Sequence, residues 1–215
     1  MRPLDIVDLG RMRYADALEV QLNLVDQRKR GDGTDTLLYV EHPHVVTIGR
    51  NGKQQHVLAN DEILARTGIE LYESDRGGDV TYHGPGQLVG YPILDLKAWK
   101  RDVHAYFYGV EQSLINALAQ FRIRAERTVE KGYEGVWVGG AKVAAIGIHI
   151  SRWITSHGFA LNVDTDLNYF KYIVPCGLTK PVCSLRTLGC AASRGEVMEA
   201  VTESFADVFG YRQEN

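Results

Sequence analysis

Apolar positions along the chain switch between two periods, and each switch marks an element. Residues 14–30 carry Leu18, Leu22 and Val25 at helical spacing with charges between them, and Gly31-Asp32-Gly33 stops the run. Two short apolar runs of strand length follow, 36–41 and 45–49. His42-Pro43-His44 separates them, and proline there demands an edge or a turn. Asn60 can cap a short helix that Gly68 closes. Between 103 and 121, Val103, Tyr106, Phe107, Val110, Leu114, Leu118 and Phe121 trace one helical face. The period then shortens. Val136-Trp137-Val138, Gly139-Gly140 and 141–146 read as a β-hairpin with a two-residue glycine turn. Residues 156–163 make a further strand, and 164–175 have no period. Ser193 and Glu196 form a capping box that opens a last helix, with Val197, Val201, Phe205 and Val208 facing inward. No repeat or linker-like shift interrupts the series. The pattern predicts one α/β (α+β) domain over residues 1–215, a mixed, largely antiparallel sheet packed by helices.

Composition narrows the function classes. A chain of 215 residues can bury a core without staples. A net charge of −3 argues against nucleic-acid binding driven by bulk electrostatics. The start is not secretory, and no apolar run nears the roughly 20 residues of a membrane span, so a cytoplasmic protein off the membrane is expected. Cys176, Cys183 and Cys190 are spaced C-x6-C-x6-C, unlike short zinc spacings. The seven histidines include no H-E-x-x-H, and no metal is expected.

Candidate chemistry gathers in three places. Residues 76–91, RGGDVTYHGPGQLVGY, hold five glycines in sixteen positions around His83. His83-Gly84-Pro85-Gly86 cannot continue a helix and reads as a sharp turn. The glycines at 77, 78, 84 and 86 are expected to let backbone lie flat against a ligand. Cys176 lies in Val174-Pro175-Cys176-Gly177-Leu178, where proline stiffens the approach and glycine turns the chain away. That context suits a nucleophilic thiol presented in a cleft, and equally a buried free cysteine. Cys183 and Cys190 read as ordinary thiols. Lys142 follows the glycine turn in an apolar strand. It is either an exposed edge-strand charge or an amine partly desolvated in a site.

In this order and spacing, RGGDVTYHGPGQ, GVWV with the following lysine and glycine, HGFALN and PCG resemble the lipoyl(octanoyl) transferases. The likeness runs from about residue 39 to 178. It implies the fold shared with lipoate–protein ligases and the catalytic domain of biotin–protein ligases. It implies transfer of an octanoyl group from octanoyl-acyl carrier protein to a lysine of a lipoyl domain, with Cys176 carrying the acyl group and Lys142 as its partner. Acceptors would be lipoyl domains of 2-oxoacid dehydrogenase complexes and the glycine cleavage H protein. No cofactor and a monomer are expected. By the same match the substrate pocket takes in Arg76, Gly77, Gly78, Asp79, Val80, Thr81, Tyr82 and His83. From the later strands it takes Ala145, Ile146, Gly147, Gly158, Phe159 and Ala160. Ala145 stands where many relatives carry serine. Three rivals remain: an ATP-dependent lipoate ligase, a non-catalytic acyl-carrier binding module, and a Cys–His hydrolase using His83 or His157.

Overall fold

The computed structural model describes residues 2–128, 134–173 and 180–212. Among these residues ten strands and four α-helices follow in chain order: β1 (Leu4–Arg11), α1 (Tyr14–Arg30), β2 (Asp35–Glu41), β3 (Val45–Ile48), α2 (Asp61–Thr67), β4 (Glu70–Glu73), β5 (Val80–His83), β6 (Gln87–Ile93), α3 (Val103–Gln120), β7 (Glu126–Arg127), β8 (Val136–Val138), β9 (Ala141–Ser151), β10 (Ile154–Asn162) and α4 (Arg194–Phe209).

Seven strands form the main sheet in the order β1-β2-β6-β10-β9-β8-β7, where only β1 and β2 run parallel. The expected single sheet is accompanied by a second, three-stranded one in the order β4-β3-β5. The break at His42-Pro43-His44 is what sends β2 into one sheet and β3 into the other. The glycine-rich stretch crosses back, from β5 in the small sheet to β6 inside the large one.

Period-two alternation sorts the main sheet's side chains into two layers. Leu37, Tyr39, Leu88, Phe159 and Leu161 join the core shared with α3 and α4. Leu38, Val40, Val89, Tyr91, Ile93 and Ala160 face α1. Val46, Ile48, Ile69, Val80, Tyr82 and Ile173 form the small sheet's own core.

Local signals set the boundaries. Gly31, Gly68 and Gly210 end helices in the left-handed conformation, Asn60 caps α2, and Ser193 with Glu196 closes a capping box on α4. Gly139 and Gly140, at φ 55° and 81°, turn β8 into β9. Two helical faces differ from expectation. In α1 the buried residues are Tyr14, Ala17, Gln21 and Val25, while Leu22 is 49% exposed. Ala17 is small enough to rest on the sheet, and Gln21 Oε1 accepts a hydrogen bond from the His157 backbone N–H at 2.8 Å. In α3, Val103 is exposed, and Gly109, Ser113 and Ala117 are buried instead. A Cβ on Gly109 would fall 2.6 Å from the Phe209 ring, so a small residue there lets α4 pack closely.

Candidate active site

A slim cavity of about 40 Å³ is walled by residues from α1, β5, β6, β9 and β10 together with Arg76. Nine of the sequence-derived pocket residues meet there: Arg76, Thr81, His83, Ala145, Ile146, Gly147, Gly158, Phe159 and Ala160. Tyr14, Val89, Tyr91 and His157 complete the wall. The sequence reading passed over Val89 and Tyr91, although they alternate on β6 immediately after the glycine-rich turn. Tyr14 carries no motif and comes in from α1.

The other five predicted pocket residues, Gly77, Gly78, Asp79, Val80 and Tyr82, do not line this cavity. Val80 and Tyr82 pack inside the small sheet. Asp79 accepts from its neighbour Val80 N–H at 2.7 Å and lies 2.7 Å from His56 Nδ1. Gly77 N–H donates to the Ile148 carbonyl at 2.9 Å, which joins the loop to β9. Gly78 takes φ 85°. None of glycines 77, 78, 84 and 86, expected to leave flat backbone open to a ligand, lines this cavity. A side chain on Gly84 would strike the Tyr82 hydroxyl, and one on Gly86 the Asp164 carbonyl. Those two glycines admit other parts of the chain. Gly147 does border the cavity, and a Cβ there would fall 2.9 Å from the Gly77 carbonyl.

Arg76 is a buried cation whose guanidinium is held in place. Nε and Nη2 donate to Thr47 Oγ1 at 3.0 and 2.8 Å, Nη2 donates to the Thr47 carbonyl at 2.7 Å, and Nη1 to the Gly77 carbonyl at 3.0 Å. It places positive charge beside two histidines. Burial, with His42 and Arg76 nearby, pushes His83 down to about 3. His157 is also lowered by burial, against the pull of Asp75. Its Nε2 lies 2.6 Å from Asp75 Oδ1, and since a carboxylate only accepts, Nε2 carries the hydrogen. That bond from His157 is the main reason the Asp75 carboxyl falls to about 2. His157 sits at φ 56°, and its Nδ1 is buried with no partner among the described residues. The cavity wall is thus largely apolar, with neutral imidazoles and one buried guanidinium whose N–H groups are taken up by Thr47 and the Gly77 carbonyl.

Lys142 lies three residues before Ala145 on β9. It pairs with Trp137 of β8 on one side. On the other, Lys142 N–H donates to the Pro181 carbonyl, and Cys183 N–H donates to the Lys142 carbonyl, both at 2.9 Å. The residue is therefore interior to the sheet, which removes the edge-strand reading. Its Nζ donates to the Glu134 carbonyl at 3.0 Å and sits 5.0 Å from the Trp137 ring centre. Cys176 lies outside the described residues. The chain on either side of it is anchored, Ile173 by a bridge to Val57 and Val182 by a bridge to Lys142. Cys183 is buried, which raises its thiol to about 11 and makes it a poor nucleophile. Among the described residues no group of His, Cys, Asp and Glu could hold a metal ion, and no helix is long and apolar enough to cross a membrane.

Comparison with known proteins bears on this geometry. A family model described as the lipoyl protein ligase A/B catalytic domain matches residues 13–206. The chain is 58% identical over 211 residues to an octanoyltransferase of Solibacter usitatus, covering 98% of this chain and 95% of that protein. It is 51% identical over 213 residues to an octanoyltransferase of Koribacter versatilis, covering 96% and 84%. Among solved structures it is similar to one from an archaeal lipoylation system of Thermoplasma acidophilum, a bi-partite lipoate protein ligase and its E2 lipoyl domain. The TM-score is 0.78 at 16% identity, over 100% of this chain and 87% of that one. A lipoate-protein ligase A bound with ATP gives 0.74 at 17%, over 99% and 88%. At such identities the likeness is one of fold.

Proposed function

Because the chain belongs to the octanoyltransferase family, acyltransferases built on the lipoyl protein ligase A/B catalytic domain, we propose that it moves an octanoyl group from octanoyl-acyl carrier protein to a lysine amine on a lipoyl domain. The route is a thioester on Cys176. The observation that carries this reading is the 58% identity to an octanoyltransferase across nearly the whole of both chains. The anchoring of Lys142 against residues 181–183, just beyond the cysteine, supports it.

The chemistry balances without ATP. The Cys176 thiolate attacks the donor thioester carbon, the new C–S bond forms, and the carrier's C–S bond breaks. The Lys142 ammonium gives a proton to the departing thiolate. The acceptor's neutral amine then attacks the Cys176 thioester, C–N forms, C–S breaks, and the proton lost from nitrogen returns to Lys142. The acyl chain lies along the cavity between Arg76, His83 and the paired strands β9 and β10. Acceptors are lipoyl domains of 2-oxoacid dehydrogenase complexes and the glycine cleavage H protein.

Intact mass spectrometry tests the proposal. Mixing the protein with octanoyl-acyl carrier protein should give one octanoyl adduct on Cys176, discharged by a lipoyl domain in the absence of ATP. Cys176→Ser transferring at the wild-type rate would refute the covalent route. Pyrophosphate release from ATP and free acid would favour a ligase of the kind that shares the fold.

A further inference from the structure

Two buried amides have no part in the chemistry above. Gln87 opens β6 and Asn162 closes β10, and they are direct cross-strand partners. They are 2% and 4% exposed. A buried amide is costly unless its donors and acceptors are matched. These two are matched into a chain of hydrogen bonds whose direction is forced.

The forcing starts at a backbone carbonyl. Cys183 O can only accept, so Asn162 places its amide nitrogen there, Nδ2 donating at 3.0 Å. Asn162 Oδ1 then faces Gln87 as an acceptor. Gln87 Nε2 donates to it at 3.0 Å and to the Tyr82 carbonyl at 3.3 Å. Gln87 Oε1 is left 2.8 Å from His83 Nδ1. An amide oxygen carries no hydrogen, so Nδ1 must. Turning either amide over would set oxygen against oxygen at Cys183 or at Tyr82. A neutral imidazole with its hydrogen on Nδ1 keeps a lone pair on Nε2. The same network reaches Lys142, because Cys183 N–H donates to the Lys142 carbonyl and Leu185 N–H to the Asn162 carbonyl, each at 2.9 Å.

We infer that Gln87 and Asn162 are positioning residues that lock His83 in its Nδ1–H tautomer, so that Nε2 serves as a neutral hydrogen-bond acceptor for an N–H of the attacking amine. The role assigned to Nε2 rests on acyl transfer in this cavity; the tautomer does not. An amine attacks with its lone pair and keeps N–H bonds that need a partner in an apolar site. Accepting one of them holds the amine in place with its lone pair free to attack. Protonation of His83 would abolish the acceptor. Among the described residues the titratable and charged groups around it are Tyr14 from α1, His42 from the turn between the sheets, Arg76 and, from β10, His157. None is a carboxylate, and burial beside Arg76 keeps the ring neutral.

Long-range 1H–15N correlation on the full chain with 15N-labelled histidine reads the tautomer directly. The expected result is a protonated Nδ1 and a bare Nε2 on His83 from pH 8 to pH 5. An Nε2–H tautomer in the wild-type protein would overturn the inference, whatever the transferase activity. Gln87→Glu puts a carboxylate beside Nδ1 and should raise the pKa of His83. Transfer to a lipoyl domain should then acquire an acid limb at least one pH unit above that of the wild type, in kcat rather than in KM for the acyl carrier. A raised His83 pKa with an unmoved rate profile would equally defeat it. Failure of the wild type to transfer at all would instead strike at acyl transfer itself.

Discussion

His42 and His83 are buried as neutral rings, His42 held at about 4 and His83 at about 3, in both cases chiefly by burial. Each folded value lies below the roughly 6.5 of a free histidine. The unfolded chain therefore binds more protons below pH 6.5, and stability declines as pH falls from there toward pH 4. The loss should reach a few kcal/mol for the pair, since a tenfold change in proton affinity is worth about 1.4 kcal/mol. Urea midpoints measured between pH 7 and pH 4.5 should fall steadily. His42→Gln, which takes up no proton, should flatten part of that slope. His42 Nδ1 lies 2.8 Å from the Met12 carbonyl and Nε2 2.7 Å from the Tyr91 hydroxyl, so a ring packed on the cavity residues Tyr91 and His83 is fixed by two bonds. At this scale the motifs were legible only in part, since of residues 76–83 only Arg76, Thr81 and His83 line the cavity. The sequence could not disclose that His157, one step before Gly158, would take φ 56° and lean on Asp75, because only the fold brings residues 75 and 157 together.

At the scale of elements, the pairing of β6 with β10 supplies six of the thirteen residues around the cavity. Gly90 lies opposite Phe159, and a Cβ at Gly90 would penetrate the Phe159 ring. Gly90→Ala should cost about 1–3 kcal/mol through overpacking. Adding Phe159→Leu should recover a good part of the loss, and a double-mutant cycle on urea midpoints measures the coupling. Simple additivity would mean the ring moves aside freely. Elements with local punctuation were readable in advance: the Gly139-Gly140 hairpin, the capped α2 and α4, and the extent of α1. The missed elements lack such marks. β1, LDIVDLGR, is a mostly exposed edge that pairs parallel with β2, and parallel partners leave no turn between them in the sequence. The assignment of β3 and β5 to a separate sheet depends on tertiary placement alone. Helical faces were misjudged where alanine, glycine, serine or glutamine does the packing, since a count of large apolar residues passes over them.

For the whole molecule, Asp35 is the joint. This carboxylate is 5% exposed and meets Arg2 at 3.2 Å, Arg28 of α1 at 3.1 Å, the Tyr211 hydroxyl at 2.8 Å and the Asp95 N–H at 2.8 Å. Asp35→Ala leaves two partly buried guanidinium groups without their counter-charge and should cost about 3–5 kcal/mol, read as a lower thermal midpoint. The transferase rate of the fraction still folded should stay near wild type, because none of these groups borders the cavity. Arg2 also forms a β-bridge with Tyr211, and Arg212 N–H donates to the Arg2 carbonyl at 3.0 Å. The described path of the chain therefore closes on itself like a ring with its clasp at one carboxylate. A ring has no privileged first residue. Circular permutation, with the clasp bridged by a short linker and the chain reopened at an exposed turn such as the one at Gly31, would leave every strand neighbour in the main sheet where it is.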